Sequence, residues 1–489
     1  MRYSKFNIHF NKFYSYETFK NVNGIALICR NVINQGKKAN QNMPTLADFE
    51  TASACGFNAV MYPGSDVPPT QWISYTKDAL DYCQQTGLIM ISNSPILGFN
   101  SNVDGVAPYA KDWPVSFVSQ FVNHPALGGW QVKDEPSYLD WHESLDANNN
   151  SVHAHNSPLI NNYRNIRAID NQNLVFMNLA VSYDATWIGN NSTYPDYLHH
   201  YNQVFNPSIL CYDYYPIDCV TNSQGEIISL RVQWVTFYNT LATFAYEAKR
   251  TNKPFWAYCL CYQHRTEGRI YPYPTEGMLR FYVFSALAYG AQGIIYWKYR
   301  IGDNETPALV DNNPNKTKGE ALNEKIESPN IVGSIEEQGS TYLTFAPIDH
   351  NGNKTSIWYS IKKINSEVRR YNHIFYQCDV RNTYRFQSTV AKEIWDQGVG
   401  CIRKLKTEEF GVLISNIVNN GNYYIVIVNS DPFNKQNIQI VFDTESYGVY
   451  DVGIASGPQT SWDDSQSEEQ WVSRTLDEGG YLIIKYTRK

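Results

Sequence analysis

From about residue 24 to 300, apolar residues recur as short runs closed by polar, Pro or Gly positions. Each run is followed by a longer stretch with apolar side chains near i, i+3 and i+4. The runs predict strands at 24–29, 57–62, 88–92, 129–133, 174–179, 209–212, 255–261 and 293–297. The intervening pattern predicts helices such as 71–86, 115–123, 159–170, 230–249 and 277–289. Eight strands alternating with helices describe an α/β chain with a parallel sheet, and eight is the number that closes a TIM barrel. The competing open, doubly wound sheet is disfavoured, because no Gly-x-Gly-x-x-Gly turn follows an early strand.

The pattern then changes twice. Residues 302–340 are dominated by Asn, Lys, Glu, Pro and Ser, which reads as a long loop over the barrel mouth. A helical stretch at 355–375 would be the eighth barrel helix, and from about 382 the period becomes two. Runs at 411–417, 423–429, 437–442 and 480–486, between Asn/Gly/Asp turns, describe an antiparallel β-sandwich. Asn419-Asn420-Gly421 is a hairpin-turn signal. The expected organisation is an N-terminal extension (1–23), a (β/α)8 barrel (24–381) and a C-terminal sandwich (382–489).

Composition narrows the partners. Hydrophobic residues make up 43 % of the 489 and charged ones 18 %, enough to fill a large core. The aromatic share is 15 %, with 37 Tyr and 12 Trp, which suits either an aromatic-rich core or a groove that stacks on the C–H faces of sugars. The net charge of −7 and the lack of a basic run argue against nucleic acid as the main partner. None of the nine cysteines forms a CxxC pair, so a disulfide framework is not expected. The N-terminus lacks an apolar signal core, and no apolar run is long enough for a membrane span. The chain is expected in the periplasm or outside the cell if a signal has been removed, and in the cytoplasm otherwise. The composition calls for no cofactor and no metal.

Catalysis in a (β/α)8 barrel sits at the C-terminal ends of the strands. Strand four ends in Asp134-Glu135-Pro136, strand six in Tyr212-Asp213-Tyr214-Tyr215-Pro216, strand seven in Tyr262-Gln263-His264-Arg265 and strand eight in Tyr296-Trp297-Lys298-Tyr299-Arg300. Glycosidic cleavage needs one carboxylic acid to protonate the leaving oxygen and a second carboxylate as base or nucleophile. Glu135 in an aromatic-walled pocket would have the raised pKa that the acid role requires, with Asp213 as its partner. Strand alternation sends Asp134 and Glu135 in different directions, one to the barrel centre and one to brace the loop. Asp134 and His264 would bind sugar hydroxyls or tune Glu135, with His264 also a candidate proton shuttle; Tyr215 and Gln263 are further candidate sugar contacts, and Tyr62, Trp297 and Tyr299 candidate stacking platforms. For each the blander alternative is structural: a helix cap or rim ion pair for the acids, an Asx turn for Asp213, core packing for the aromatics. Two other functions fit the same residues, a non-catalytic glycan-binding barrel and a metal-dependent sugar isomerase or aldolase with Glu135, Asp213 and His264 as ligands.

Three segments carry a family resemblance: Gly129-Trp130-Gln131-Val132-Lys133-Asp134-Glu135-Pro136, Tyr212-Asp213-Tyr214-Tyr215-Pro216, and the run from Pro274-Thr275-Glu276-Gly277 to Gly290-Ala291-Gln292-Gly293-Ile294. They resemble clan A glycoside hydrolases, in particular a bacterial group of family-42-like (β-galactosidase-like) proteins with a Gly-Trp-x-x-x-Asp-Glu-Pro signature. The resemblance covers the barrel and extends weakly to the sandwich through Tyr424–Asn429. It implies that Glu135 is the acid/base. The chain departs from the clan pattern at Asp134, where Asn is usual. It departs again at strand seven, where the nucleophilic Glu is replaced by Cys261-Tyr262-Gln263-His264. Asp213 or Glu267 would then supply the second carboxylate, or the chain does not hydrolyse glycosides in this way.

Overall fold

In the computed structural model, eight parallel strands close into a barrel in the order one, eight, seven, six, five, four, three, two. They are Ala26–Arg30, Ala59–Met61, Ile89–Ser92, Leu127–Asp134, Leu174–Ala180, Leu210–Asp213, Phe255–Leu260 and Gly293–Trp297. The structure describes residues 22, 24–33, 43–62, 71–93, 97, 113–141, 144–145, 151–152, 158–181, 185–189, 193–223, 227–266, 269–300, 346–349, 352–454 and 471–489. The loop expected at 302–340, Glu267, and the extension apart from residue 22 lie outside this set.

Strand alternation sorts the barrel into two cores. Ala26, Ile28, Ala59, Met61, Ile91, Leu174, Phe176, Cys211, Trp256, Tyr258 and Ile295 fill the interior. The residues alternating with them, such as Leu27, Val60, Val175, Tyr212 and Tyr296, pack outward on the helices. Strand four comes unusually close to strand five. A Cβ on Gly129 would lie 2.7 Å from Leu174 Cβ, so the glycine in the Gly-Gly-Trp segment is a packing requirement.

The helix expected over 230–249 begins later, at Trp234, and runs to Thr251. Its first residues instead belong to a hairpin, Ile217–Thr221 with Ile227–Val232, that follows strand six. Leu230 and Val232 fit either period, but Arg231 pairs with buried Asp218 (2.6 Å) across the hairpin and holds the segment extended. A second short hairpin, His264–Thr266 with Arg269–Tyr271, follows strand seven. The eighth barrel helix is Ser356–Arg370, continued by a turn at Asn372–Phe375.

The C-terminal region is a sandwich of a five-stranded and a four-stranded antiparallel sheet, whose first strand is Asp379–Phe386. Asn420 (φ 46°) and Gly421 (φ 78°) form the tight turn between Val412–Asn419 and Asn422–Asn429. One face of the larger sheet joins the barrel core: Tyr424, Val426, Tyr481 and Ile483 pack with the barrel helices. Tyr481 stacks on Phe284 at 3.9 Å between centroids, and Trp234 Nε1 donates to Ser430 O at 2.7 Å. All nine cysteines are free and buried. Among the described residues no helix is long and apolar enough to cross a membrane.

Candidate active site

Strand four carries an irregularity that sets the site. Its register with strand five shifts between Gln131 and Asp134, so these two, three apart, both point into the barrel. Glu135 then adopts a left-handed backbone (φ 45°), rare for a side-chain-bearing residue, while its N–H still donates to Asn178 O at 2.8 Å. Simple alternation predicts that Asp134 and Glu135 diverge. The bulge and the positive φ instead turn both into the mouth.

Asp134 is held by four donors. Arg30, from strand one, reaches across the barrel to it (Nη2–Oδ2 2.6 Å, Nη1–Oδ1 3.3 Å). Gln131 Nε2 (2.9 Å) and Asn178 Nδ2 (3.0 Å) donate to the same Oδ1. Arg30 Nη1 also donates to Tyr258 Oη on strand seven at 2.9 Å. The dense walls alone would push the Asp134 carboxyl up. The Arg30 charge and the three side-chain donors outweigh them and hold it below the usual carboxylate range. With Oδ1 saturated, Asp134 is suited to tuning its neighbours more than to binding sugar hydroxyls.

Glu135 meets Asp213 at the end of strand six, close enough that each carboxyl acts on the other's proton affinity. Burial raises Glu135 and the Asp134 charge adds to this, while Asp213 and the Arg30 charge pull it back. Asp213 is pushed further, well above the usual range, by burial first and then by the charges of Glu135 and Asp134. Of the two, Asp213 therefore keeps its proton to the higher pH, and its buried Oδ1 is left without a donor. Glu135 is exposed to the mouth and Asp213 is partly so.

Aromatic rings line one wall. Tyr215 and Trp297, both partly exposed, stack on each other at 5.7 Å with 9° between planes. His264 lies between Tyr262 (5.1 Å) and Tyr271 (4.5 Å), edge-on to Trp297. Burial pulls its pKa down to about 4, so at neutral pH it is an uncharged part of the wall and not a proton shuttle. Gln263 is 2 % exposed, its carbonyl oxygen without a donor.

Two expected platforms are core residues instead. Tyr62 leaves strand two on the outward parity and packs in the strand–helix layer, near Asp48, Tyr75 and Asp78. Tyr299 is 1 % exposed, with its hydroxyl accepting from Trp358 Nε1 at 3.1 Å. The first described carboxylate after strand seven, Glu276, is engaged by Arg280 (2.7 Å) and Lys363 (2.8 Å) on the helix side. Among the described residues no group of three His, Cys, Asp or Glu side chains is arranged to hold a metal ion, Glu135, Asp213 and His264 included.

The residues missed from the sequence are Arg30, Gln131, Asn178 and Tyr258. A signal for three of them was present: Arg30 continues the row Ala26–Ile28, Asn178 the row Leu174–Phe176, and Tyr258 follows Trp256, all on interior parity. A charged or amide side chain in such a row has to find a partner inside the barrel.

No protein-family model matches the chain, and no curated protein matches it by sequence. Several solved structures resemble the chain at low identity. A β-galactosidase from the psychrophilic Marinomonas ef1 shares 9 % identity over 71 % of this chain and 60 % of its own, with a TM-score of 0.42. The endo-β-1,4-mannanase of Thermotoga petrophila shares 12 % over 93 % of this chain and 97 % of its own, with a TM-score of 0.39. A protein described as a glycoside hydrolase shares 9 % over 94 % and 92 %, with a TM-score of 0.45. The closed order of eight parallel strands followed by a sandwich identifies this chain as a (β/α)8-barrel protein.

Proposed function

We propose that the chain is a glycosidase in which Asp213 and Glu135 divide the acid and carboxylate roles. The observation that carries this reading is the facing pair of carboxyls at the barrel mouth, with Asp213 the deeper-set and the one pushed further up, beside the Tyr215–Trp297 stack. Glycosidic cleavage asks for a proton on one of two opposing carboxyls and a negative charge on the other. A sugar ring lying against the exposed aromatic edge enters between them. Asp213 gives its proton to the leaving glycosidic oxygen as the C1–O bond breaks. Glu135, as carboxylate, then faces C1 directly or activates the water that attacks it.

These roles are the reverse of those implied by the family-42-like resemblance, which makes Glu135 the acid. The reversal follows from the deeper burial of Asp213 and from the charges of both Asp134 and Glu135 acting on it. Asp213 thus takes the place of the carboxylate missing at the end of strand seven. A neutral carbohydrate is the substrate class we infer.

The test is hydrolysis of a panel of aryl glycosides and β-linked oligosaccharides. Glu135→Gln and Asp213→Asn should each lower kcat on any cleaved substrate by about 10²–10⁴-fold while the circular dichroism spectrum is kept. Full activity in either variant would sink the assignment. The lack of a carboxylate at the very end of strand seven, which reads Cys261-Tyr262-Gln263-His264, favours one other reading, a glycan-binding barrel without turnover. Sugar-dependent thermal stabilisation with no product from any member of the panel would support that instead.

A further inference from the structure

We propose that Arg30 and Asp134 work as one internally neutral ion pair that sets the proton count of the Glu135–Asp213 pair, with Arg30 a positioning residue that never meets substrate. The inference rests on the reading of that pair in which Asp213 holds the proton, and not on any particular sugar.

Four observations carry it. Arg30 crosses from strand one to strand four, which are not neighbours in the barrel, so its reach is not a by-product of strand pairing. It is fixed at three points, both Asp134 oxygens and Tyr258 Oη. Its partner is the residue immediately before Glu135, so both charges of the ion pair stand close to the Asp213 proton. Asp134 also keeps Asn178 and Gln131 as donors, which hold its carboxylate in place independently of Arg30.

Opposite charges 2.6 Å apart largely offset each other at a neighbouring site, with Asp134 leaving the larger effect on Asp213, whereas either alone acts in full. The other titratable groups acting on the pair are Tyr215 just beyond Asp213, Tyr258 on strand seven, Cys211 below Asp213 and Tyr271 in the hairpin after strand seven. All four are neutral near pH 7, because burial raises each of them above its ordinary value. The Arg30–Asp134 unit is therefore the fixed charge that tunes the Asp213 proton among the described residues.

The consequence is a pair of opposite shifts. Asp134→Asn leaves Arg30 positive, so the Asp213 proton should be lost at a pH lower by on the order of one to two units. Arg30→Met leaves Asp134 negative, and the loss should move up by a similar amount. The double variant R30M/D134N should return to within about half a unit of the wild type. Arg30→Lys, which keeps the charge but not the fork, should titrate near the wild type.

The measurement is pH-difference infrared spectroscopy of the protonated-carboxyl band, assigned by its disappearance in Asp213→Asn, with no substrate present. Single variants that shift in the same direction, or a double variant that keeps a shift of one unit, would overturn the proposal. A purely structural role for Arg30 predicts loss of stability without opposed shifts. If R30M does not fold, the contrast between R30K and D134N decides the matter: the proposal requires D134N to fall and R30K to stay. Opposed shifts in a protein that cleaves no glycoside would refute the function proposed above and leave this inference standing.

Discussion

Asp134→Ala should destabilise the protein by about 2–3 kcal/mol at pH 7. The substitution removes the acceptor of four donors: two from Arg30, one from Gln131 and one from Asn178. Breaking a fully buried ion pair costs roughly 3–5 kcal/mol, because the remaining charge is stranded. Arg30 is close to that limit, with its side chain 14 % exposed and one bond left, to Tyr258 Oη. Asp134 is not, since its side chain is 44 % exposed toward the mouth. Water entering the vacated space replaces part of what Gln131 and Asn178 lose, which brings the expected cost below the buried limit. Asp134→Asn keeps one acceptor oxygen and should cost less, about 1–2 kcal/mol. Arg30→Met with Asp134→Asn should cost at least about 1 kcal/mol less than the sum of the single changes, since neither charge is then stranded. Urea unfolding followed by tryptophan fluorescence gives each value from the shift in midpoint at constant slope. A cost under about 0.5 kcal/mol for Asp134→Ala, or additivity across the cycle, would refute the view that Arg30 depends on Asp134 for its charge balance.

Three further outcomes follow from the same geometry. Asp213 binds its proton more tightly folded than unfolded, so the stability it contributes is present below the usual carboxylate range and is lost as pH rises through its raised value; the unfolding midpoint of Asp213→Asn should fall less than that of the wild type over that rise, and parallel curves would contradict the buried proton. His264 is the opposite case: with a folded value of about 4 against about 6.5 unfolded, its contribution is complete above 6.5 and falls by roughly 3 kcal/mol as pH drops toward 4, a loss that His264→Gln should not show; a His264 ring resonance titrating between pH 6 and 7 would disprove its burial. Tyr481→Ala empties the stack on Phe284 (3.9 Å) where sheet and barrel share a core, and should cost roughly 3–5 kcal/mol, with barrel and sandwich losing midpoint together; a loss confined to the sandwich would show that the two cores are independent.

All eight barrel strands were legible from the sequence because each is a short apolar run, buried on both faces, between Pro, Gly or polar residues. The sandwich strands flanking Asn420-Gly421 were legible for the opposite reason, a period of two ending in a turn that needs two left-handed residues. Where one stretch of sequence fits both periods, the reading failed. Residues 230–232 continue an apolar helical spacing, and the Arg231–Asp218 pair across the hairpin is what makes them strand.

The site divides along the same line. The candidate carboxylates Glu135 and Asp213 follow from their places after strands four and six, since a barrel puts its chemistry at those ends. Tyr62 and Tyr299 sit at strand ends as well, yet the side of the strand on which each ring emerges decides between mouth and core, and both emerge toward the helices. That two adjacent acids turn the same way depends on a register shift opposite strand five and on a positive φ at Glu135, neither of which has a sequence signature. Which carboxyl carries the proton is decided one level further up. Burial of Asp213 and the placement of Arg30 and Asp134 across the barrel set it, and distances between strands far apart in sequence exist only once the barrel has closed. The sequence by itself determined the elements and the reactive types at their ends, because these follow from local periodicity. Their directions and charges were left to the tertiary structure, because these depend on neighbours that the chain brings from elsewhere.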